Sequence, residues 1–239
     1  MVAGGEGAVE EAHASNAVMP GECAQADGKI KVVTVNVDGI GAYDRTPAER
    51  IKEILSMVLE EAPDLILMQE VVAEMMPVVN QVLSGWKTLR RRSVAEDYFN
   101  VTAVSPTLRA GAGRTSSYLF PCSSNGRHLL TTRPRGWSVI NVHAESGRGQ
   151  VSRDHREEQL RHMSRLHESE EGQACVLAGD FNMRSGEEQW LLREGWREVR
   201  RVGGDEWTWR RGPNSGRYDR IYVHGDAVDG GPVHRVTNV

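Results

Sequence analysis

Five side chains with carboxylate, amide or imidazole chemistry fall at the ends of apolar runs: Asn36 in TVNVDG, Glu70 in LMQE, His143 in NVHAES, and Asp180 and Asn182 in GDFN. Short apolar runs of this kind read as buried strands, so each polar group stands where a strand leaves the core. As a set they suit holding a hard divalent cation, activating a water and stabilising charge on a phosphoryl oxygen. Each also has a plainer reading. Glu70 can ligate magnesium, which takes few carboxylates and keeps positions for water and phosphate, or it can pair with an arginine. Asp180 and Asn182 are two residues apart, and extended backbone would aim both at one face, where Asp180 orients or deprotonates a water; the same pair favours an Asx turn closing the strand. Asn36 and Asp38 share a face if extended and could help to hold metal and phosphate, while Gly39 and Gly41 favour a turn. His143 is a donor to a phosphoryl oxygen if it faces the same cleft, and otherwise a core or surface histidine. Glu145 and Ser146 extend this polar edge.

Elements that could position these groups follow from the pattern. KIKVVTVNV and LILMQEVV read as strands, and between them Thr46, Pro47 and Glu49 give an N-cap, a proline at the first helical position and a capping-box acid. Ile51, Ile54, Leu55 and Val58 then recur at helical spacing until Pro63. A helix is expected over 72–83, with its continuity set against Pro77. YFNVTAVS, HLLTTR and WSVINVHAE alternate like consecutive antiparallel strands. A helix over about 153–167 leads into the buried strand ACVLAGD; EEQWLLREG suggests a further helix, and EWTWR and RYDRIYVH two further strands. The order predicts an α/β protein with sheets covered by helices.

The chain has 239 residues, a length that suits one α/β domain. Residues 1–28 are rich in Ala, Gly and Glu and read as a tail, leaving 29–239 as the domain. No apolar run approaches the roughly 20 residues of a membrane helix, and the N-terminus lacks the basic and apolar regions of a secretory signal. Three cysteines, Cys23, Cys122 and Cys175, fit free thiols of a reducing compartment, so nucleus or cytoplasm is the expected location. A net charge of −4 excludes a uniformly basic nucleic-acid binder and leaves contact to local patches: Arg90–Arg92, Arg109, Arg114 and Arg127, with a solvated loop as the alternative for the first. Trp207 and Trp209 could stack on an unpaired base or lie in the core.

In this order the segments resemble the endonuclease/exonuclease/phosphatase superfamily, and within it the 5′-tyrosyl-DNA phosphodiesterase family. The likeness is carried by TVNVDG at 34–39, MQE at 68–70, HAES at 143–146, GDFNMR at 179–184, TW at 208–209 and RYDRIY at 217–222, with DYF at 97–99 and Arg127, Leu129 and Leu130 beside them. It implies a four-layer α/β sandwich of two mainly antiparallel sheets flanked by helices. It also implies a magnesium-dependent (or manganese-dependent) phosphodiesterase acting in DNA repair on DNA 5′ ends that carry a protein adduct. Asn36 and Glu70 would support the metal, Asp180 and Asn182 flank the water, His143 stabilise the phosphoryl oxygens and Asp219 orient a last histidine, with Ser146, Arg127, Trp207 and Trp209 toward substrate. Val35 stands where the family has Trp, a change in packing beneath the site. The family's terminal Ser-Asp-His motif has no match before Val239, so a domain truncated before its closing strand, or a degenerate relative, is expected. The alternatives are another superfamily substrate, namely RNA ends, abasic DNA or a phosphoinositide, and a non-catalytic module that binds DNA ends.

Overall fold

A computed structural model describes residues 29–41, 44–90, 97–109, 112–120, 122–168, 174–199, 208–211 and 214–225. The expected tail, Trp207 and the stretch in which a closing strand was sought lie outside them. The first sheet has the order β1-β2-β4-β3, built from β1 (Val32–Asn36), β2 (Leu65–Val71), β3 (Lys87–Arg90) and β4 (Phe99–Val104). The second has the order β5-β6-β7-β8-β12-β9. Its strands are β5 (Ala112–Leu119), β6 (His128–Pro134), β7 (Trp137–His143), β8 (Ala174–Asp180), β9 (Arg197–Glu198) and β12 (Asp219–His224). A small hairpin joins β10 (Trp209–Arg211) to β11 (Asn214–Gly216). Pairing is antiparallel throughout except at β1 with β2 and β7 with β8, the two places where a helix makes the crossover.

Those helices are α1 (Pro47–Glu60) and α4 (Gln150–Glu168). Thr46 and Glu49 form the reciprocal capping box at the start of α1, and Ile51, Ile54, Leu55 and Val58 are its buried face. The helix expected over 72–83 is instead a 3₁₀ turn (Ala73–Met75) followed by α2 (Met76–Val82). Pro77 lies in the first turn of α2, where its missing N–H has no partner to lose, so it starts the helix rather than breaking it. The shorter helices α3 (Pro106–Arg109) and α5 (Gln189–Arg193) complete the set.

Alternation along the strands divides the apolar residues into three layers. Ile66, Met68, Val101 and Ala103 meet α1 and α2; Ile140, Val142, Cys175, Leu177 and Tyr222 meet Leu160 and Met163 of α4. Leu65, Leu67, Val139, Val176 and Ala178 fill the space between the sheets. This is the expected four-layer sandwich. One expectation is corrected: β4 does not continue into β6 and β7 but belongs to the first sheet, with β5 between them in sequence. Among the described residues Cys122 and Cys175 are free thiols, and no helix is long and apolar enough to cross a membrane.

Two polar residues sit inside the apolar layer between the sheets. Gln69 of β2 donates through Nε2 to Asn141 Oδ1 of β7 at 2.8 Å, and Asn141 Nδ2 donates to the Val101 and Met68 carbonyls at 3.0 and 3.3 Å. Both are fully buried. The Asn141 amide is bonded through both its oxygen and its nitrogen, and such a directional contact between the sheets fixes how far one slides along the other. Replacing Asn141 by Ala should therefore cost about 2–4 kcal/mol, from the lost hydrogen bonds and the void left behind, read as a lowered midpoint in urea.

Candidate active site

The C-terminal ends of β1, β2, β7 and β8 converge at one end of the sandwich. From the first sheet come Asn36 and Glu70, and from the second come His143 and Asp180, facing each other across the intersheet layer. Asn36 Nδ2 donates to Asp180 Oδ2 at 3.0 Å, 144 residues away in sequence. His143 Nε2 lies 3.5 Å from Glu70 Oε1 and 4.0 Å from Asp180 Oδ2. One donor atom from each of Glu70, His143 and Asp180 lies within 4.8 Å of the other two.

Glu70 arrives there by a β-bulge. Ile66 and Met68 point to the helical layer, and strict alternation would send residue 70 the same way. The register to β4 shifts between Met68 and Val71, Glu70 adopts φ +58°, and it is Val71 that returns to the helical core. Gly39 holds the bulge: its N–H donates to the Glu70 carbonyl at 3.0 Å, and a Cβ at this position would stand 2.2 Å from that oxygen. Only glycine allows this approach.

The two turn-prone pairs also resolve. β1 ends at Asn36 and β8 at Asp180, so neither Asp38 nor Asn182 continues an extended strand, against the shared-face expectation. Asp38 (φ +45°) donates its N–H to Asn36 Oδ1 at 2.9 Å, and Asn182 (φ +49°) donates its N–H to Asp180 Oδ1 at 2.8 Å. Both are Asx turns, and both hold the side chains that face each other between the sheets. Asn36 thus accepts the Asp38 N–H through its oxygen, and its amide donates to Asp180 and also hydrogen-bonds Glu70. Asn182 Nδ2 reaches the Ala144 carbonyl at 3.2 Å. Of the five described non-glycine residues with positive φ, three are Asp38, Glu70 and Asn182, so local strain gathers at this end of the molecule.

Arg127 was expected on a phosphate-gripping surface; it is buried, with Nη1 2.8 Å from His143 Nδ1 and 2.6 Å from Nε2. Its guanidinium also lies over the Tyr98 ring, 5.2 Å from the centroid, and that ring lies 5.7 Å from the imidazole. Burial, then the charge of Arg127, holds the His143 pKa well below the usual imidazole value, so His143 is neutral. Tyr98 escaped the sequence analysis although DYF was noted, because its stacking depends on strands from the other sheet. Arg90 lies over the Phe99 ring at 5.4 Å; Arg91, Arg92 and the side chains of Arg109, Arg114 and Trp209 are outside the described set. Val35 packs toward the helical core, on the face opposite Asn36.

Asp219 pairs in register with Asp180. Its N–H and that of Tyr218 both donate to Thr208 Oγ1, at 2.9 and 3.0 Å. Its Oδ1 is buried with no hydrogen-bond partner. Arg184 donates to the Tyr218 hydroxyl and stacks on that ring, 4.7 Å from Cζ to centroid. Ser146 Oγ accepts from Asn125 Nδ2 at 3.3 Å, and the buried Glu145 carboxylate accepts from Ser123 Oγ and Asn125 Nδ2, each at 2.6 Å.

Electrostatics gives the cluster its direction. Burial raises the pKa of Glu70 and of Asp180, and burial with the charge of Asp180 pushes Asp219 up to about 7. Neighbouring buried carboxylates of this kind call for added positive charge. The oxygen donors of Glu70 and Asp180 fit a hard divalent cation such as Mg²⁺ or Mn²⁺.

The model of the Endonuclease/Exonuclease/phosphatase family matches residues 33–237. No curated protein matches by sequence. Among solved structures, TDP2 from C. elegans superposes with a TM-score of 0.68 at 21% identity, covering 82% of this chain and 65% of that one. The D. rerio TDP2 complexed with single strand DNA product gives 0.70 at 20% identity, covering 86% and 87%. The 3'-5' exonuclease NExo from Neisseria meningitidis gives 0.62 at 22% identity, covering 82% and 87%. The chain thus spans less than two thirds of the C. elegans protein, and these likenesses concern the fold.

Two outcomes are expected of the cluster. Folded Asp219 keeps its proton to about pH 7 while the unfolded chain releases it near 4, so the native state binds the extra proton in that window and stability falls as pH rises through it. Melting temperatures in EDTA should drop between about pH 5 and about pH 7.5, and excess magnesium should flatten the trend. Gly39→Ala should weaken Mn²⁺ binding about 10–100-fold in calorimetric titration, because the bulge that aims Glu70 cannot close.

Proposed function

The chain belongs to the endonuclease/exonuclease/phosphatase family, and from that premise we propose that it is a divalent-cation-dependent phosphodiesterase that hydrolyses the 5′-phosphotyrosyl bond of DNA ends carrying a protein adduct, as in DNA repair. Members of this family are hydrolases of phosphoester bonds. The observation that carries the reading is the meeting of Glu70, His143 and Asp180 from two different sheets, with Asn36 bridging them. The fold likeness to a TDP2 complexed with single strand DNA product favours DNA over the other substrates of the superfamily.

Glu70 would hold Mg²⁺ (or Mn²⁺), with Asn36 supporting the site beside it. The bound cation supplies Lewis-acid stabilisation of charge on the phosphate oxygens. Asp180 is fixed from both sides by the Asn36 amide and the Asn182 N–H, and burial raises its affinity for a proton. It therefore takes the proton of the attacking water, which the Asn182 side-chain oxygen helps to orient. His143 is neutral, with one acceptor and one N–H, and Arg127 Nη1 stands against both ring nitrogens; the guanidinium and imidazole together would form the positive, hydrogen-bonding wall that faces a phosphoryl oxygen. Asp219, with its unpartnered oxygen, would orient a last histidine, the role the resemblance implies for it. Attack is in line, with no covalent enzyme intermediate, and the tyrosyl oxygen leaves. Ser146 would face the substrate, and Trp207 and Trp209 would stack the terminal base.

Cleavage of a 5′-phosphotyrosyl single-stranded oligonucleotide, with and without magnesium, tests this against abasic DNA, RNA ends and a phosphoinositide. Turnover of the tyrosyl substrate that vanishes in EDTA is expected, and a preference for any of the others would move the assignment within the family. Asp180→Asn should lower kcat about 10²–10⁴-fold with an unchanged circular dichroism spectrum. Glu70→Gln should abolish the response to magnesium. Wild-type turnover in either variant would sink the reading.

A further inference from the structure

We infer that Arg156 of α4 is a positioning residue that sets the separation of two walls of the cleft, and thereby how a polynucleotide is held. The inference rests on the phosphodiesterase reading. One wall is the turn after β7 that carries Glu145 and Ser146; the other is the turn after β8 that carries Arg184. Arg156 is 1% exposed and reaches both. Its Nη1 donates to the Glu145 carbonyl at 3.1 Å and to the Gly147 carbonyl at 3.0 Å, while Nε and Nη2 grip the Glu187 carboxylate at 2.7 and 2.9 Å. Four hydrogen bonds from one planar fork are beyond a lysine.

Each wall is tied to the catalytic cluster. Glu145 follows His143 by two residues, and its carboxylate organises Ser123 and Asn125 against Ser146. Arg184 lies close enough to Asp180 to lower its proton affinity, and the Glu187 N–H donates to the Arg184 carbonyl at 3.2 Å. One turn along α4, the fully buried Gln159 adds a second grip: its Oε1 accepts the Glu145 N–H at 2.8 Å and its Nε2 donates to the Cys122 carbonyl at 2.9 Å. Gly147 has φ +108°, and a Cβ there would stand 2.6 Å from Ser152 Oγ, so the turn presents its carbonyl to Arg156 in a conformation that glycine permits. None of these contacts reaches Glu70 or Asn36, which come from the first sheet. Arg156 therefore governs the walls and leaves alone Glu70 and Asn36, the part of the cluster that the first sheet supplies.

The test is the double variant Arg156→Met/Glu187→Met, which removes both charges together and leaves neither buried alone, beside Arg156→Lys. Expected are near-native melting of the double variant, unchanged Mn²⁺ binding, and a KM for a 5′-phosphotyrosyl oligonucleotide raised about 10–100-fold. The kcat/KM for the p-nitrophenyl ester of thymidine 5′-phosphate, too small to span both walls, should stay near wild type. Arg156→Lys should not restore the oligonucleotide KM. A wild-type KM in the double variant, or an equal loss on both substrates, overturns the inference. If the wild-type chain cleaves neither substrate, the phosphodiesterase reading fails, and amide hydrogen exchange decides the positioning claim. Faster exchange in the double variant at 145–147 and 184–187, with β7 and β8 unchanged, supports it, and unchanged exchange in those turns overturns it.

Discussion

The hydrogen bond between Gln69 and Asn141 is the contact on which the geometry of this protein turns. Apolar layers are good at bringing two sheets together and poor at fixing their relative slide, because Val, Leu and Ala offer no directional contact. A single amide pair, fully buried and 2.8 Å long, supplies direction. It lies one residue from Glu70 and two from His143 along their strands, so a slip here would displace both. The Asn36–Asp180 bond at the strand ends repeats the device at the rim. Polar contacts are thus placed where two sheets must be aligned, and the apolar layers elsewhere supply the bulk of the burial.

The site those bonds align is electrostatically unfinished as a bare chain. Glu70, Asp180 and Asp219 all have raised proton affinity, and burial is the leading cause in each. A buried cation that acts on Glu70 and Asp180, Arg127, is held against His143 and the Tyr98 ring. That arrangement has a chemical consequence for the imidazole. A histidine among carboxylates would ordinarily gain a proton, yet burial, and then the guanidinium against its ring, holds its pKa well below the usual imidazole value. The fold separates the two kinds of charge: the carboxylates face one another in a set that could hold a metal ion, and the arginine is turned to the histidine.

Legibility in the sequence followed the range of the interactions. The capping box at Thr46, the helical face of α1 and the strand ends carrying Asn36, His143 and Asp180 are set by neighbours within a few residues, and each could be read directly. The edge strands β3 and β5 could not be read, because KTLR and AGRTSSYL lack the continuous apolar pattern of a strand buried on both faces. The bulge at Glu70 was equally hidden: it depends on an N–H of Gly39, thirty-one residues earlier in the chain. GDFN was weighed as either a turn or a catalytic pair, and the structure shows an Asx turn that itself holds Asp180 in place. Arg127 looked like a surface residue since nothing nearby in sequence announces the imidazole and ring that enclose it.

The division of the cluster between the sheets has a consequence for how such a protein changes over time. Asn36 and Glu70 are encoded in the first third of the chain, and His143, Asp180 and Asp219 in the remainder. Neither portion carries a working half of anything; the site exists only at the seam. Exchange of segments between relatives would leave both sets of side chains intact and still lose the cluster unless Gln69 and Asn141 travelled as a matched pair. What is inherited here is an alignment as much as a set of residues.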